Sequence, residues 1–370
     1  LRDKHLHIAQ DSELPKTIYR QVDEQLIIDN NVFLLKIWTK FIFYFSFSVF
    51  AYSLLYLVEN PIYFVLSFVL YGFVSLLFAF NFSHDFSHNT IFKNKKLNNL
   101  CFIFIYTIVG AHAEAWKQRH INSHHYAPNV EDYDSDLKIT KLIRVIPNSE
   151  HIWYHKFQHF YAPLAYTTYS LFWVFIKDFV ILFSQDEYTE KKGLKYHLSF
   201  WTQKTVYLSI ILALPLLFSG QVWYIVLLGF LLMHLTQSLF LLFTFFMTHH
   251  VEETEYPTTD DKGYIKTSWL MNQIKSSNDM HPFSETANFI LGGFNNHIAH
   301  HLFPHFHHIH YPKLNRILYD ILNENNIKPN QTTYWGGLVS HLKLLKRMSY
   351  ADKKNALLHH LHASGGSLLL

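Results

Sequence analysis

The chain's apolar pattern opens with two long uncharged runs, residues 41–58 and 62–80, separated by the polar break Glu59-Asn60-Pro61. Each run is long enough to cross a hydrocarbon core of about 30 Å at a rise of about 1.5 Å per residue. The pattern recurs at 206–218 and 222–247, joined through Ser219-Gly220, with only scattered polar residues such as His234, Thr236 and Gln237. Both pairs read as helical hairpins. Between them, 100–111 is apolar but too short to cross, and 160–183 carries Lys177 and Asp178. Both segments are therefore expected at the membrane interface or packed against the bundle. Buried core helices of a large soluble protein are the rival reading, and uncharged runs of this length fit a bilayer better.

These spans divide the chain into an N-terminal arm (1–40), a first transmembrane hairpin (41–82), a cap segment (83–200), a second hairpin (201–248) and a second cap segment (249–358). Residues 359–370, containing HHLHASGGS, read as an appended tail. The first run follows a polar stretch and lacks a small-residue cleavage site, so it is not a signal peptide. The hairpin tips near 59–61 and 219–221 carry no Lys or Arg, whereas the arm and both cap segments are rich in them. By the positive-inside rule both termini and the cap face the cytoplasm, which suits an integral protein of a bacterial inner membrane. The expected fold is an all-α membrane protein, with four transmembrane helices in two hairpins and a cytosolic helical cap.

Composition narrows the chemistry. Hydrophobic residues make up 49% and charged ones only 16%, which excludes a disordered chain. The single Cys101 excludes a disulfide framework, a cysteine-ligated zinc ribbon and an internally held iron-sulfur cluster. A net charge of +3 without an arginine-rich block gives no case for nucleic acid. The outlier is 27 His.

Three histidine clusters fall at the inner ends of the spans. HDFSH places His84 and His88 four apart on one helical face; HINSHH supplies His120, His124 and His125; HIAHH supplies His297, His300 and His301 at i, i+3 and i+4. The spacing presents two or three imidazoles of each cluster to one point. His249, in MTHHVEE after the fourth span, is a ninth candidate, with His250 beside it as the alternative. Nine imidazoles exceed what one ion accepts, so the arithmetic favours two metals. Imidazole suits Zn, Cu, Fe and Ni alike. A site bordered by apolar helices has alkyl chains at hand, and their oxidation requires a redox metal. By contrast, His5, His7, His151, His155, His159, His197 and His234 show no such convergence, and His305, His307, His308 and His310 stand where they can support the third cluster from behind.

At HDFSH, HINSHH and HIAHHLFP the chain resembles the integral-membrane fatty acid desaturase family, whose three histidine boxes have these forms in this order. The likeness runs from about Asn81 to Pro312 and takes in WKQRH, THHVEE and HLFPHFHHIHYP. It implies a non-haem centre of two iron ions, O2 as co-substrate and insertion of a double bond into a fatty acyl chain. The implied ligands are His84, His88, His120, His124, His125, His249, His297, His300 and His301. The branch it most resembles is bacterial, acyl-CoA or acyl-lipid, and of the front-end type. Those relatives usually carry Gln where this chain has His297, a departure that bears on regioselectivity rather than on the chemistry.

The substrate implied is a fatty acyl group on CoA, on acyl-carrier protein or in a membrane lipid. With no HPGG haem motif and one Cys, the electrons are expected from a separate donor of ferredoxin or cytochrome b5 type. Lys93, Lys95, Lys96, Lys117 and Arg119 lie near the first two boxes, where they can meet an acidic donor, the phosphates of a carrier, or the membrane surface. A hydroxylase, acetylenase or ketolase would use the same ligands. A non-catalytic metal-binding receptor or transporter would need a polar path that the first two spans do not offer.

Overall fold

The polar break that separates the first two runs is also what starts the second helix. Asn60 Oδ1 accepts hydrogen bonds from the backbone N–H groups of Ile62 (2.9 Å) and Tyr63 (3.3 Å), and Pro61 occupies the first turn, where a missing N–H costs nothing. Asp29 caps the first spanning helix in the same way. In the computed structural model, which describes residues 4–138, 141–184 and 192–351, the chain is an all-α membrane protein. The expected tail at 359–370 lies outside the described residues.

An amphipathic helix, α1 (Ala9–Gln25), precedes the spans α2 (Asn30–Leu57) and α3 (Pro61–Ser87). The connecting segment holds α4 (Lys95–Val109), α5 (Ala113–Arg119), α6 (Trp153–Tyr166) and α7 (Tyr169–Phe183). The second pair of spans is α8 (Leu194–Phe218) and α9 (Trp223–His249). Then follow α10 (Trp269–Lys275), α11 (Glu285–Leu291), α12 (His297–Leu302), α13 (Tyr311–Glu324) and α14 (Tyr334–Met348). Among the described residues the only sheet is a parallel pair of two-residue strands, Asp279–Met280 beside Gln331–Thr332.

α3 and α9 form the inner pair of the bundle. A Cβ on Gly72 would lie 2.6 Å from Met233 Cγ, and one on Gly229 would run into the Phe68 ring, so these two glycines set how closely the helices approach. α2 and α8 begin well before the uncharged runs. α8 starts at Leu194, and its Lys204 is buried with Nζ 2.6 Å from Asp178 and 2.7 Å from the Gly110 carbonyl. A charge that looks like a boundary is thus neutralised inside the bundle. Asp178 and the equally buried Lys177, which is 3.5 Å from Asp136, sit on α7, which meets α6 at 81°. α6 presents Trp153, Phe157, Phe160 and Leu164, all exposed, along one face.

At the histidine-bearing end, α1 lays Leu14, Ile18 and Val22 against Leu314, Leu318 and Ile321 of α13, joined by Ile298 and Leu302 of α12. That small core holds the third cluster in place.

Candidate metal centre

Each histidine is delivered by a locally distorted or firmly anchored element. α3 passes through a π-helical turn at Ala79–Ser83 immediately before His84, and α9 through one at Leu242–Phe246 shortly before His249. The second cluster is itself such a turn: His120–His124 is closed by the His125 N–H donating to the His120 carbonyl at 2.9 Å. Bulges of this kind re-aim the side chains that follow them. α12 is fixed by Asp279, whose buried carboxylate accepts from Ile298 N–H (2.9 Å) and from the Tyr319 hydroxyl (2.9 Å). Burial pushes the Asp279 carboxyl up to about 7.

The nine imidazoles assemble as two adjoining groups. In the first, one ring nitrogen from each of His84, His88, His120 and His300 lies within 4.8 Å of the others, and His125 Nε2 lies 3.1 Å from His120 Nε2. The second is His124, His249, His297 and His301. Here His249 Nε2 stands 3.0 Å from His124 Nε2, 2.7 Å from His297 Nε2 and 3.2 Å from His301 Nε2. The groups touch through His125 and His301, whose ring centroids are 4.6 Å apart.

Two imidazoles of each box share one group, as the spacing implied, while His124 and His300 part from their neighbours. The π turn brings His120 and His125 to the first group and leaves His124 in the second. In α12, His297 pairs with His301 at i+4, while His300, about 100° further round the helix, turns to the first group. His250 faces away, with Nδ1 2.9 Å from the Tyr256 hydroxyl, so of the two neighbours it is His249 that joins the cluster.

The outer nitrogens determine the inner ones. His249 Nδ1–H donates to the Ser276 carbonyl (2.8 Å), His301 Nδ1–H to Gln273 Oε1 (2.9 Å) and His124 Nδ1–H to Asp134 (3.0 Å). Each Nε2 is therefore left as a bare lone pair facing the others. Burial keeps His120, His125, His297, His300 and His301 well below the usual imidazole value, hence neutral. Burial opposes charge on His124 as well, but Asp134 outweighs it and raises that residue. Lone pairs about 3 Å apart repel unless a cation sits among them, and ligands on an ion at about 2.0–2.1 Å are spaced in this way. His300 Nε2 is buried with no hydrogen-bond partner among the described residues. The donor set fits a metal at each group.

Asp134, Asp279, Gln273 and the Ser276 carbonyl were not singled out from sequence. Asp134 carries a faint signal, in an acidic stretch ten residues after His124; the others carry none. His307 and His308 gather on Asp85, inside the first box, with His308 Nδ1 2.6 Å from its carboxylate. Lys40 Nζ lies 2.8 Å from His308 Nε2, so a lysine amino group already occupies the outer nitrogen of this hydrogen-bonded cluster. Of the remaining histidines, His234 bonds Ser170 and Tyr207, His5 bonds Asn272, and His151 and His155 bond backbone carbonyls.

The sequence model described as Fatty acid desaturase matches residues 60–333, which covers all nine clustered histidines. The chain belongs to the fatty acid desaturase family. Relatives of the desaturase include the sn-1 linoleoyl-lipid 6-desaturases of Synechocystis sp. (28% identical over 281 residues, 74% of this chain and 77% of that one) and Arthrospira platensis (27% over 293 residues, 78% and 79%). Another is the acyl-lipid (8-3)-desaturase of Physcomitrium patens, 27% identical over 288 residues, 76% of this chain but only 59% of the longer relative.

Three adjoining hollows lead through the desaturase. One of about 180 Å³ is walled by Leu142, Ile143, Val145, Tyr166 and Phe172. Across Leu137, Tyr169 and Phe246 it adjoins one of about 100 Å³ that reaches His120, His124, His249 and His297. Across Trp116, Trp173 and Phe245 lies the last, about 40 Å³, bounded by His84 and by Leu76, Val174 and Leu241 between the spans.

Proposed function

We propose that the protein is an oxygen-dependent acyl-lipid desaturase that converts adjacent methylenes, near the carboxyl end of a chain held in a membrane lipid, into a double bond. The observation that carries this reading is the row of three adjoining hollows, the outer and inner ones walled mainly by apolar side chains, with the two imidazole groups along its side. The relatives named as acyl-lipid and linoleoyl-lipid desaturases support the substrate class.

His84, His88, His120, His125 and His300 would hold one iron ion, and His124, His249, His297 and His301 the other; together the ions supply oxygen activation and take up the electrons. The protein's own part is position and exclusion of water. Trp116 stacks on His120 at 4.3 Å and, with Trp173 and Phe245, narrows the path beside the imidazoles, so that one pair of methylenes is presented and the rest of the chain is held. Asp134, Gln273 and the Ser276 carbonyl keep the imidazoles in the ligating tautomer. The balance is one O2, two protons and two electrons from a separate carrier, giving the alkene and two waters. The Lys- and Arg-free hairpin tips support an orientation with the histidine end facing the cytoplasm, and the cyanobacterial relatives support a bacterial membrane.

The test is the fatty-acid profile of a host expressing the chain, with double bonds located by mass spectrometry and His301→Ala as control. A new alkene in lipid-bound acyl chains, absent with the variant, is expected. A hydroxylated product, or an unchanged profile despite two irons per chain, would overturn the reading.

A further inference from the structure

A fourth hollow, of about 710 Å³, lies between the start of α2 and α11, and it shares no lining residue with the three along the acyl path. α2 offers it Lys36, Thr39 and Lys40, at i, i+3 and i+4 on one face, just ahead of the uncharged run that begins at residue 41. Glu285, Thr286 and Phe289 of α11 face them. Lys40 is the unusual group. Its side chain is buried, and among the described residues no carboxylate stands within ion-pair reach of Nζ. Instead Nζ is held 2.8 Å from His308 Nε2 and 4.7 Å from the centre of the Phe289 ring. His308 Nδ1–H donates to Asp85 at 2.6 Å, so Nε2 accepts only one of the N–H bonds that the lysine carries. The others are left to the ring and the hollow, and a buried donor without an acceptor is costly. Lys36 is exposed with no ion pair, and the hydroxyls of Thr39 and Thr286 make no hydrogen bond, again among the described residues. The remainder of the wall is apolar: Leu35, Phe43 and Phe289 are all exposed, with the last two rings 6.4 Å apart.

We propose that this hollow is a binding site for an anionic phospholipid, separate from the acyl path, with the phosphate between Lys36 and Lys40 and the first methylenes of its chains on Leu35, Phe43 and Phe289. Side chains at i and i+4 stand about 5–6 Å apart at Cβ, which lets two amines close on one phosphate. Thr39 and Thr286 supply further donors. The depth is right for a head group, since the two lysines end where the uncharged run begins and Phe43 lies within it. A soluble phosphate would use the amines and leave the exposed rings without a partner, so the apolar flank favours a lipid. Glu285 is the one carboxylate on the wall, and it opposes an anion. The bound lipid would bridge α2 and α11, which already meet where the Tyr44 hydroxyl donates to the Phe289 carbonyl at 3.2 Å. It would also cover the Lys40–His308–Asp85 chain behind the first histidine box.

The desaturase, iron-loaded in phosphatidylcholine nanodiscs, is given a trace of phosphatidylglycerol carrying a diazirine near the head of one acyl chain, and cross-linked peptides are located by mass spectrometry. Cross-links at 35–43 and 285–289 are expected, displaced by unlabelled phosphatidylglycerol and not by soluble glycerol phosphate at the same concentration. Phosphatidylcholine carrying the same label should mark these peptides weakly. Lys36→Glu should weaken phosphatidylglycerol binding about fivefold or more, Glu285→Gln should strengthen it about two- to threefold, and Lys343→Glu on α14 should leave it unchanged, with the differences shrinking as salt rises. Lys40→Gln should weaken binding too; Lys36 and Glu285 are exposed, so their variants decide the matter even where the buried substitution fails to fold. The proposal is overturned if the labelled peptides lie elsewhere, if both labelled lipids mark the site equally, or if Lys36→Glu and Glu285→Gln change nothing or shift binding in the same direction. Equal displacement by glycerol phosphate also overturns it, by making the hollow a site for soluble anions. No arm of the test uses turnover, so its outcome is independent of the desaturase reading.

Discussion

Position 297 shows how much one side chain can decide. His297 Nε2 makes the shortest contact in its group, 2.7 Å from His249 Nε2, at the position where the family resemblance implies Gln. An amide oxygen can coordinate or hold a water where an imidazole stood, whereas an isobutyl group can do neither. His297→Gln should therefore keep close to two irons per chain and measurable desaturation, reduced about ten- to a hundredfold. His297→Leu should drop towards one iron per chain and lose product. Metal analysis of the two purified variants checks this, and full iron content in the Leu variant would remove the residue from the ligand set. The histidines themselves were legible because their spacing is periodic. Asp134, Gln273 and the Ser276 carbonyl were not, because hydrogen-bond partners of an imidazole can come from anywhere in the chain and leave no spacing behind.

At the scale of elements, the apolar runs marked the beginnings of α3 and α9 to within a residue but missed those of α2 and α8. The apolar run at 206–218 begins only after Lys204, and Lys177 and Asp178 set 160–183 apart from the spans, whereas the ion pairs Lys204–Asp178 and Lys177–Asp136 carry these charges inside. Those pairings link α7 to α8 and to the loop after the second box, contacts that no local window contains. The π turns were equally hidden: one extra residue in a helical turn leaves no mark in composition, yet it separates His124 from His120. The interfacial expectation for 160–183 leads to a further test. Trp153, Phe157, Phe160 and Leu164 follow one another at i, i+4, i+7 and i+11 on α6, all exposed, the first at 75% and the last at 73%. Such a stripe belongs in the headgroup and acyl boundary of a bilayer. Spin labels at 153, 157, 160 and 164, in a Cys101→Ser background, should collide with dissolved oxygen and be shielded from a water-soluble nickel chelate, with a label at exposed Asp261, in the loop before α10, showing the reverse. Equal access of the chelate to all five positions would place α6 in water.

For the molecule as a whole, the two groups are the point where distant parts of the chain meet. α3, the turn after α5, the end of α9 and α12 each contribute to one group or the other, and α12 is held in turn by Asp279 and by the small core shared with α1 and α13. The second group sets imidazole nitrogens about 3 Å apart in a buried setting, close contacts that ions would turn into shared coordination. The opposite halves of the spans, packed through Phe64, Phe68, Val226 and Phe230, have no share in those contacts. Ions that bind only the folded chain stabilise it by RT ln(1 + [L]/Kd), about 4 kcal/mol at a thousandfold excess over Kd. Stripping iron with a chelator should therefore lower the melting temperature and raise amide exchange at 120–125 and 273–302, while 64–72 and 224–233 keep their protection. Readdition of Fe(II) should restore both. Identical exchange with and without iron would mean that the cap is rigid before metal arrives, and that the close imidazole contacts are held by packing alone.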